Sequence, residues 1–333
     1  MSEVFAFGIG LATRNETGSE LDCLFPNPLM APTGDLAKIV NTFATDTNTA
    51  TPEQVARANA ECGNQLVSAA LLETDQPLTV VKLESDQPIA DTAQAYLKLH
   101  LLSHRLALPN TLNLEGIFAH LPNVAWTSAG AMAVEALPDA LMRARTRGAH
   151  LEVMSIDKFP KMVNYVVPTG VRIADASRIR LGAFLGEGTT VMHEGFCNFN
   201  AGALGPNMVE GRISQGVVIG SGTDLGGSAS TMGTLAGGGE IVISLGKNCL
   251  IGANAGTGIP LGDRCTIEAG LYITAGSVVT LVDEQGERAG QVKARDLAGG
   301  SDMLFIRDSV SGQVLCRTNR KAIELNEALH AHN

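Results

Sequence analysis

The segment NMVEGRIS, residues 207–214, places a carboxylate and a guanidinium two positions apart among small and apolar residues. Glu210 could exchange a proton with a substrate, and apolar neighbours raise the pKa of such a carboxyl toward the range of a useful general base. Arg212 could bind a carboxylate through two parallel hydrogen bonds. The pair indicates either catalysis on an anionic substrate or an ordinary surface ion pair, and the residue types leave both open.

A histidine nearby is a second candidate base. His193 lies in the segment VMHEGF, residues 191–196, and imidazole is a common general base near neutral pH. We expect a structural hydrogen-bonding role for His193, with catalysis as the alternative.

The chain that must position these residues has a six-residue period from about residue 171 onward. An aliphatic residue or cysteine recurs every six positions, often followed by glycine, in four runs: Ile173, Ile179, Leu185, Val191, Cys197; Ile219, Leu225; Leu245, Ile251; and Leu261, Ile267, Ile273, Val279. This period fits neither a helix nor a simple alternating strand. It is typical of a β-solenoid, in which each hexad supplies a short strand and a turn. We therefore predict a mainly β solenoid over residues 166–282.

The six-residue frame is interrupted three times, between residues 197 and 219, 225 and 245, and 251 and 261. We interpret each break as a loop extruded from a coil, since such loops tend to carry function. The first break would place Glu210 in an extruded loop. The second contains GTLAGGGE, residues 233–240, which is either a flap beside a ligand or a plain spacer.

We predict two further regions, one on each side of the solenoid in the chain. Residues 1–165 are typical of an α/β domain, with one helix starting at Thr51 and another over residues 89–106. In the second helix, His100 and His104 share a face, and we expect a solvated or packed pair rather than a zinc site. Residues 283–333 form a short C-terminal extension.

Composition and charge indicate which partners and which cellular compartment to expect. The chain has 333 residues and a net charge of −10, which argues against a nucleic-acid partner. Its six cysteines form no CxxC motif, as expected for small buried residues in a reducing compartment. Because the sequence has neither a long apolar run nor a basic-then-apolar N-terminus, we predict a cytoplasmic protein without a membrane partner.

Four segments carry a resemblance to a known family: DKFPKMVNYVVPTGVRIAD (157–175), VMHEGFCNFNAGALGPNMVEGRIS (191–214), GGSASTMGTLAGGGE (226–240) and LIGANAGTGIPLGDRCTIEAGLYITAGSVV (250–279). With the hexads, they resemble tetrahydrodipicolinate N-succinyltransferases of the variant with a long N-terminal domain. The resemblance implies a left-handed parallel β-helix and a homotrimer with active sites between subunits. It also implies transfer of the succinyl group of succinyl-CoA to the amine of tetrahydrodipicolinate, in its 2-amino-6-oxopimelate form, on the route to diaminopimelate and lysine.

The resemblance also assigns roles to individual residues. Glu210 matches the catalytic carboxylate, described as a general base or as an acyl acceptor, and Arg212 matches an arginine that contacts the succinyl donor. Further positions matching substrate or CoA contacts are Gly227, Ser230, Ala253, Glu268, Ala269, Gly276 and Lys293. The small residues among them could equally be turn filler.

A metal position is implied less completely. Glu194 matches an acidic residue that helps to bind a divalent metal such as Mg²⁺ near the three-fold axis in some members. The partner aspartate of that pattern is Ser177 here, with Asp175 two residues away.

Two other functions fit the solenoid. An N-acetyltransferase acting on the same or a related amine is the enzymatic alternative, and Arg212 speaks against it because acetyl-CoA has no terminal carboxylate. A non-catalytic trimeric scaffold would explain the hexads but gives no reason for Glu210 and Arg212 together.

Overall fold

The computed structural model describes residues 3–233 and 241–318. It divides into two compact units, one of Met1–Ala107 with Thr111–Val166 and one of Leu108–Asn110 with Val167–Asn333. The second unit groups the residues after 282 with the coils that precede them. The three-domain division made from the sequence stays a prediction.

The N-terminal unit is a mixed α/β structure. Its strands are β1 (Ala6–Arg14), β2 (Glu20–Leu24), β3 (Leu29–Met30), β4 (Asp46–Ala50), β5 (Leu78–Leu83), β6 (Val124–Thr127), β7 (Gly130–Ala133) and β8 (Val153–Asp157). Its helices are α1 (Gly34–Val40), α2 (Pro52–Glu61), α3 (Thr92–Ser103), α4 (Ile117–His120) and α5 (Leu137–Thr146). One antiparallel sheet has the order β2-β1-β5-β4 with β3 also on β1, and a second has the order β7-β6-β8.

Helix α2 begins where the sequence predicts. The Thr51 side chain accepts a hydrogen bond from the Gln54 backbone, and the Gln54 side chain accepts one from the Thr51 backbone, which completes a capping box. Pro52 occupies the first turn, where its missing N–H has no helical partner to lose. The predicted start of this helix is confirmed.

Helix α3 is shorter than predicted: it contains His100 and ends at Ser103, so that His104 is its C-cap. His100 is fully buried, its Nε2 accepts the Phe25 N–H at 3.2 Å, and its Nδ1 lies 2.7 Å from the Tyr96 carbonyl oxygen. The ring of His104 stacks on it with a centroid separation of 6.1 Å. Because both nitrogens of His100 have protein partners, neither is free to bind zinc, and the pair is a packed one.

The second unit is built from three parallel sheets that the chain visits in rotation. The first sheet contains β10 (Ala183–Leu185), β13 (Ala201–Ala203), β16 (Val218–Ile219) and β19 (Ser244–Leu245). The second contains β9 (Arg172–Ile173), β11 (Thr189–Val191), β14 (Asn207–Val209), β17 (Asp224–Leu225), β20 (Leu250–Ile251) and β22 (Thr266–Ile267). The third contains β12 (Phe196–Cys197), β15 (Arg212–Ile213), β18 (Ser230–Thr231), β21 (Gly256–Thr257) and β23 (Tyr272–Ile273). One visit to each sheet in turn makes one coil.

The predicted hexad positions are buried, except for the half-buried Ile173, and they stack from coil to coil. In the second sheet, Val191 pairs with Val209, Val209 with Leu225, Leu225 with Ile251, and Ile251 with Ile267. All five side chains are buried. Parallel strands place the same hexad position of each coil in one column, so a sequence period becomes a continuous apolar core.

The frame breaks have two different causes, and the extruded loop predicted at Glu210 is wrong. Val209 continues the frame, but the next inward residue of the third sheet, Ile213, follows after four positions instead of six. The corner has therefore lost two residues. The same shortening separates Thr257 from Leu261, so the extruded loop predicted between residues 251 and 261 is wrong as well. Residues are added only between Thr231 and Leu245, where the predicted flap at 233–240 lies outside the described residues except for its first glycine.

After the last coil, the chain forms β24 (Val278–Val282), β25 (Arg288–Lys293), β26 (Met303–Arg307) and β27 (Val314–Thr318). Strand β26 extends the second sheet by parallel pairing with β22, and β27 joins β26 to β24. All six cysteines of the chain are free and buried, as predicted. No helix in the described ranges has the length and hydrophobicity needed to cross a membrane.

Candidate active site

A gap in one corner of the coils defines the site. In the coils before and after, four residues connect the second sheet to the third, namely 192–195 and 226–229. In the intervening coil only Glu210 and Gly211 make this connection. We call this shortened corner, with residues 193–194 and 227–228 on either side, the notch.

Glycines allow the coils to close around the notch. A Cβ atom on Gly211 would overlap the Ala229 carbonyl oxygen, and one on Gly195 would overlap the carbonyl oxygen of Val209. Any larger residue at either position would push neighbouring coils apart. The close approach brings the backbones of three successive coils together beside Glu210.

Two carboxylates converge on one glycine in the notch. A Cβ atom built on Gly227 would lie 3.5 Å from Glu194 Oε2 and 3.6 Å from Glu210 Oε2. The Ser228 hydroxyl donates a hydrogen bond of 2.8 Å to Glu194 Oε2, and the Ser228 N–H donates to the Glu210 carbonyl oxygen at 3.1 Å. Gly227 thus leaves the two carboxylates open to a ligand, where a side chain would stand between them.

Glu210 and Arg212 do not pair with each other. Within residues 3–233 and 241–318, no ion pair includes either side chain. Glu210 is half-buried at the corner, whereas Arg212 is exposed at the outward position of β15 and donates from Nη2 to Ser230 Oγ at 2.6 Å. The surface-ion-pair alternative is therefore not what the structure contains, and both charged groups remain available to ligands.

Three of the predicted donor-binding residues line the same edge below the notch. The Asn254 N–H donates to the Gly227 carbonyl oxygen, and the Gly270 N–H donates to that of Ala253, both at 2.8 Å. Gly227, Ala253 and Ala269 each precede a residue with positive φ, so they occupy the same corner position in successive coils. Small side chains at this position leave a smooth edge along which an extended ligand could lie.

The remaining predicted residues lie elsewhere. The Glu268 carboxylate accepts the Arg307 backbone N–H at 2.7 Å, although its backbone shares the corner with Ala269. Gly276 follows a strand of the third sheet and so belongs to a different corner. Lys293 Nζ donates to the Gly276 carbonyl oxygen at 3.3 Å, which brings these two predicted residues together.

Known proteins resemble this chain over its whole length. A family model described as "Tetrahydrodipicolinate N-succinyltransferase middle" matches residues 121–161, and one described as "Hexapeptide repeat of succinyl-transferase" matches residues 242–275. The 2,3,4,5-tetrahydropyridine-2,6-dicarboxylate N-succinyltransferases of Pseudomonas aeruginosa and Vibrio cholerae are 54% and 51% identical, each covering 99% of both chains. This chain belongs to the tetrahydrodipicolinate N-succinyltransferase family. A crystal structure from Campylobacter jejuni, assigned as a 2,3,4,5-tetrahydropyridine-2-carboxylate N-succinyltransferase, superposes with a TM-score of 0.87 at 30% identity, covering 97% of this chain and 94% of that one.

The metal position implied for the family is not formed by one chain here. No group of three His, Cys, Asp or Glu residues able to hold a metal occurs in the described part of the chain. Glu194 Oε2 already accepts from Ser228, while Ser177 donates to the Asp175 carboxylate through its N–H and its hydroxyl. These hydrogen bonds lower the pKa of Asp175. Because Mg²⁺ prefers several oxygen ligands, the residues of a single chain do not fit it, and no catalytic step is assigned to a metal.

Sequence reasoning within this family missed Ser228. Its hydroxyl spans the notch to Glu194, which is 34 residues away in the chain. Ser228 has a positive φ and occupies the same corner position as Asn254 and Gly270 in later coils. This equivalence between coils is the pattern that identifies its place at the corner. His193 is exposed on the rim of the notch, and its catalytic alternative stays untested.

Proposed function

We propose that Glu210 and Arg212, on this scaffold, carry out succinyl transfer from succinyl-CoA to the amine of tetrahydrodipicolinate, in its ring-opened 2-amino-6-oxopimelate form. The protein is an acyltransferase of the diaminopimelate and lysine pathway. The observation that supports the site assignment is the notch. At this shortened corner, Glu210 has no cationic partner and the nearby Arg212 has no acidic partner among the described residues.

The chemistry needs a proton acceptor at the amine. The amine nitrogen attacks the thioester carbonyl, the new C–N bond forms, the C–S bond breaks, and CoA leaves as the thiol. Glu210 takes the proton that the nitrogen releases, which can afterwards pass to the departing sulfur. A carboxylate open to the notch and without a cationic partner in the described chain suits this role better than one held in an ion pair.

Arg212 selects the donor. Succinyl-CoA differs from acetyl-CoA by a terminal carboxylate, and a guanidinium binds a carboxylate through two charge-assisted hydrogen bonds. Only one N–H of the Arg212 guanidinium is used within the described chain, by Ser230, so further guanidinium donors remain for the ligand. The N-acetyltransferase alternative gives this exposed arginine no task.

The donor's long arm is assigned to the smooth edge below the notch. Gly227, Ala253 and Ala269 offer backbone and small side chains to the pantetheine chain, and the Glu268 backbone shares this edge. Lys293, beside Gly276, supplies positive charge for the CoA phosphates. These assignments rest on the family pattern together with the stacked corner positions.

The finer features of the assembly are also proposals. We propose a left-handed parallel β-helix, a cytoplasmic homotrimer, and active sites shared between neighbouring subunits. Mg²⁺ held by Glu194 would then need one carboxylate from each of three chains at the axis.

A thiol-release assay tests the function. The purified protein is mixed with succinyl-CoA or acetyl-CoA, with and without the dicarboxylate amine acceptor, and free CoA is measured. We expect release only with succinyl-CoA and acceptor together. A preference for acetyl-CoA would establish the acetyltransferase instead, and no release with either donor would favour the scaffold.

A further inference from the structure

The outward positions of the third sheet form a column that crosses four coils. Arg212 pairs with Ser230, Ser230 with Gly256, and Gly256 with Tyr272. The next residue of each strand points inward and is buried, so these four face away from the core. Arg212, Ser230 and Tyr272 therefore project from the same face of the protein.

Tyr272 leans back across the coil that precedes it. A Cβ atom on Gly256 would overlap the ring carbons of Tyr272, so the ring lies directly against the Gly256 backbone. Gly256 is buried although it occupies an outward position, whereas Tyr272 itself is 41% exposed. The ring thus takes the space that a side chain at position 256 would occupy.

This position brings the Tyr272 hydroxyl to Ser230. The two hydroxyl oxygens are 3.5 Å apart, and Ser230 Oγ also accepts from Arg212 Nη2 at 2.6 Å. Because Ser230 accepts from the guanidinium, its own hydrogen is free to be donated. A guanidinium and two hydroxyls consequently stand in a row, with no carboxylate of residues 3–233 or 241–318 within ion-pair distance of Arg212.

We infer that Tyr272 is a positioning residue for the site that binds the donor's terminal carboxylate. Its ring, seated on Gly256, holds the hydroxyl against Ser230, and Ser230 in turn holds the Arg212 guanidinium. The inference rests on the proposed function, because it assigns the Arg212 guanidinium to the carboxylate of a succinyl group. Tyr272 would therefore affect the preference for succinyl-CoA over acetyl-CoA and not the chemical step.

The test is the ratio of two dissociation constants, measured by titration calorimetry with succinyl-CoA and acetyl-CoA. Tyr272→Phe keeps the ring on Gly256 and removes only the hydroxyl. We expect the Kd for succinyl-CoA to rise about 2- to 3-fold, the low end for loss of one hydrogen bond because the two hydroxyl oxygens are 3.5 Å apart, while the Kd for acetyl-CoA stays constant. In turnover, the KM for succinyl-CoA should rise and kcat should stay within about twofold.

A second pair of variants tests the contact between the Tyr272 ring and Gly256. Gly256→Ala should displace the Tyr272 ring and raise the same Kd, and Tyr272→Leu should do so as well. Combining Gly256→Ala with Tyr272→Leu should add little, since each removes the same contact. Thermal melting of each variant separates a local change from loss of the fold.

Two outcomes would overturn the inference. Equal changes of Kd for both donors in Tyr272→Phe would mean that Tyr272 serves the fold or the pantetheine arm. An unchanged Kd for succinyl-CoA would mean that Arg212 is placed without it. Failure of the proposed function is distinct, because it would appear as absence of succinyl transfer by the unaltered protein.

Discussion

At the scale of single residues, Glu210 and Arg212 are near neighbours in the chain but lie in different structural settings. Glu210 lies at a corner and faces Gly227, whereas Arg212 lies at the start of a strand and contacts Ser230. A strand alternates its side chains between two faces, and a corner breaks that alternation. We propose that Glu210 takes the proton of the amine that attacks the thioester carbonyl, and that Arg212 binds the terminal carboxylate at the other end of the succinyl group.

Replacing Glu210 by Gln should remove catalysis and leave the fold intact. The amide keeps the size of the side chain but cannot accept the proton of the amine. We expect kcat to fall by about 10²–10⁴, the usual contribution of a general base. Donor affinity and the melting temperature should change little, because Glu210 forms no ion pair that would be lost in the described structure.

The matched control is His193→Asn, on the rim of the same notch. A structural histidine should cost less than about tenfold in kcat, which is below the contribution of a general base. Measuring kcat and thermal melting for both variants decides between the two bases. An inactive His193→Asn variant beside an active Glu210→Gln variant would reverse the assignment.

Arg212→Leu should change the choice of donor. Loss of a charge-assisted contact should lower kcat/KM for succinyl-CoA by roughly 10- to 150-fold, with a far smaller effect for acetyl-CoA. Arg212→Lys is the control, since it keeps the charge but not the planar guanidinium. Its kcat/KM for succinyl-CoA should lie between those of the unaltered protein and Arg212→Leu. Equal losses with both donors would assign Arg212 to the fold or the acceptor.

At the scale of elements, the shortened corner at Glu210 and Gly211 defines the proposed site. Inserting Ala-Asn after Glu210, to copy the Ala253–Asn254 corner, would restore the six-residue spacing and fill the notch. We expect a fold that still melts cooperatively and a loss of at least about 10² in kcat/KM, the minimum for losing a positioned base. Inserting the same dipeptide after Gln285, in the exposed turn between β24 and β25, is the control and should leave activity unchanged. Activity retained by the corner insertion would show that the gap is not required.

Helix α3 makes the stability of the N-terminal unit depend on pH. Burial lowers the pKa of His100 to about 3, well below its value in an unfolded chain. As the pH falls below about 6.5, the unfolded chain takes up a proton that folded His100 refuses. Its contribution to stability is therefore present above about pH 6.5 and is lost progressively toward pH 3, by at most about 1.4 kcal/mol per pH unit.

Urea denaturation of the full chain between pH 7 and pH 5 measures this loss. As the pH is lowered from 7 to 5, the free energy of unfolding should decrease more steeply in the unaltered protein than in His100→Asn. The comparison concerns the slopes, so a general destabilisation of the variant does not affect it. Parallel slopes would contradict a buried neutral His100.

At the scale of the whole molecule, the proposed assembly is a trimer. Light scattering at micromolar concentration should give three times the 34.8 kDa mass of the chain. A succinyltransferase site shared between subunits requires neighbouring chains, so dilution that dissociates the trimer should also abolish succinyl transfer. A monodisperse, active monomer would contradict the shared site.

The sequence by itself determined where α2 starts and most of the residues that face the core of the coils, although Val209 and Ile213 lie outside its four runs. The six-residue period specifies the inward columns because parallel strands repeat the same local pattern, and the Thr51 capping box is a contact within one turn. Both are short-range properties. The resemblance then identified Glu210 and Arg212, which the structure leaves unpaired with each other.

Only the tertiary structure decided what the frame breaks mean. A break in the period looks the same whether residues are added or lost, and stacking the coils shows that two are missing beside Glu210. It also brings Glu194 to Ser228 and Tyr272 to Gly256, across 34 and 16 positions of chain. Such contacts depend on the summed lengths of every corner in a coil, so no local pattern can specify them.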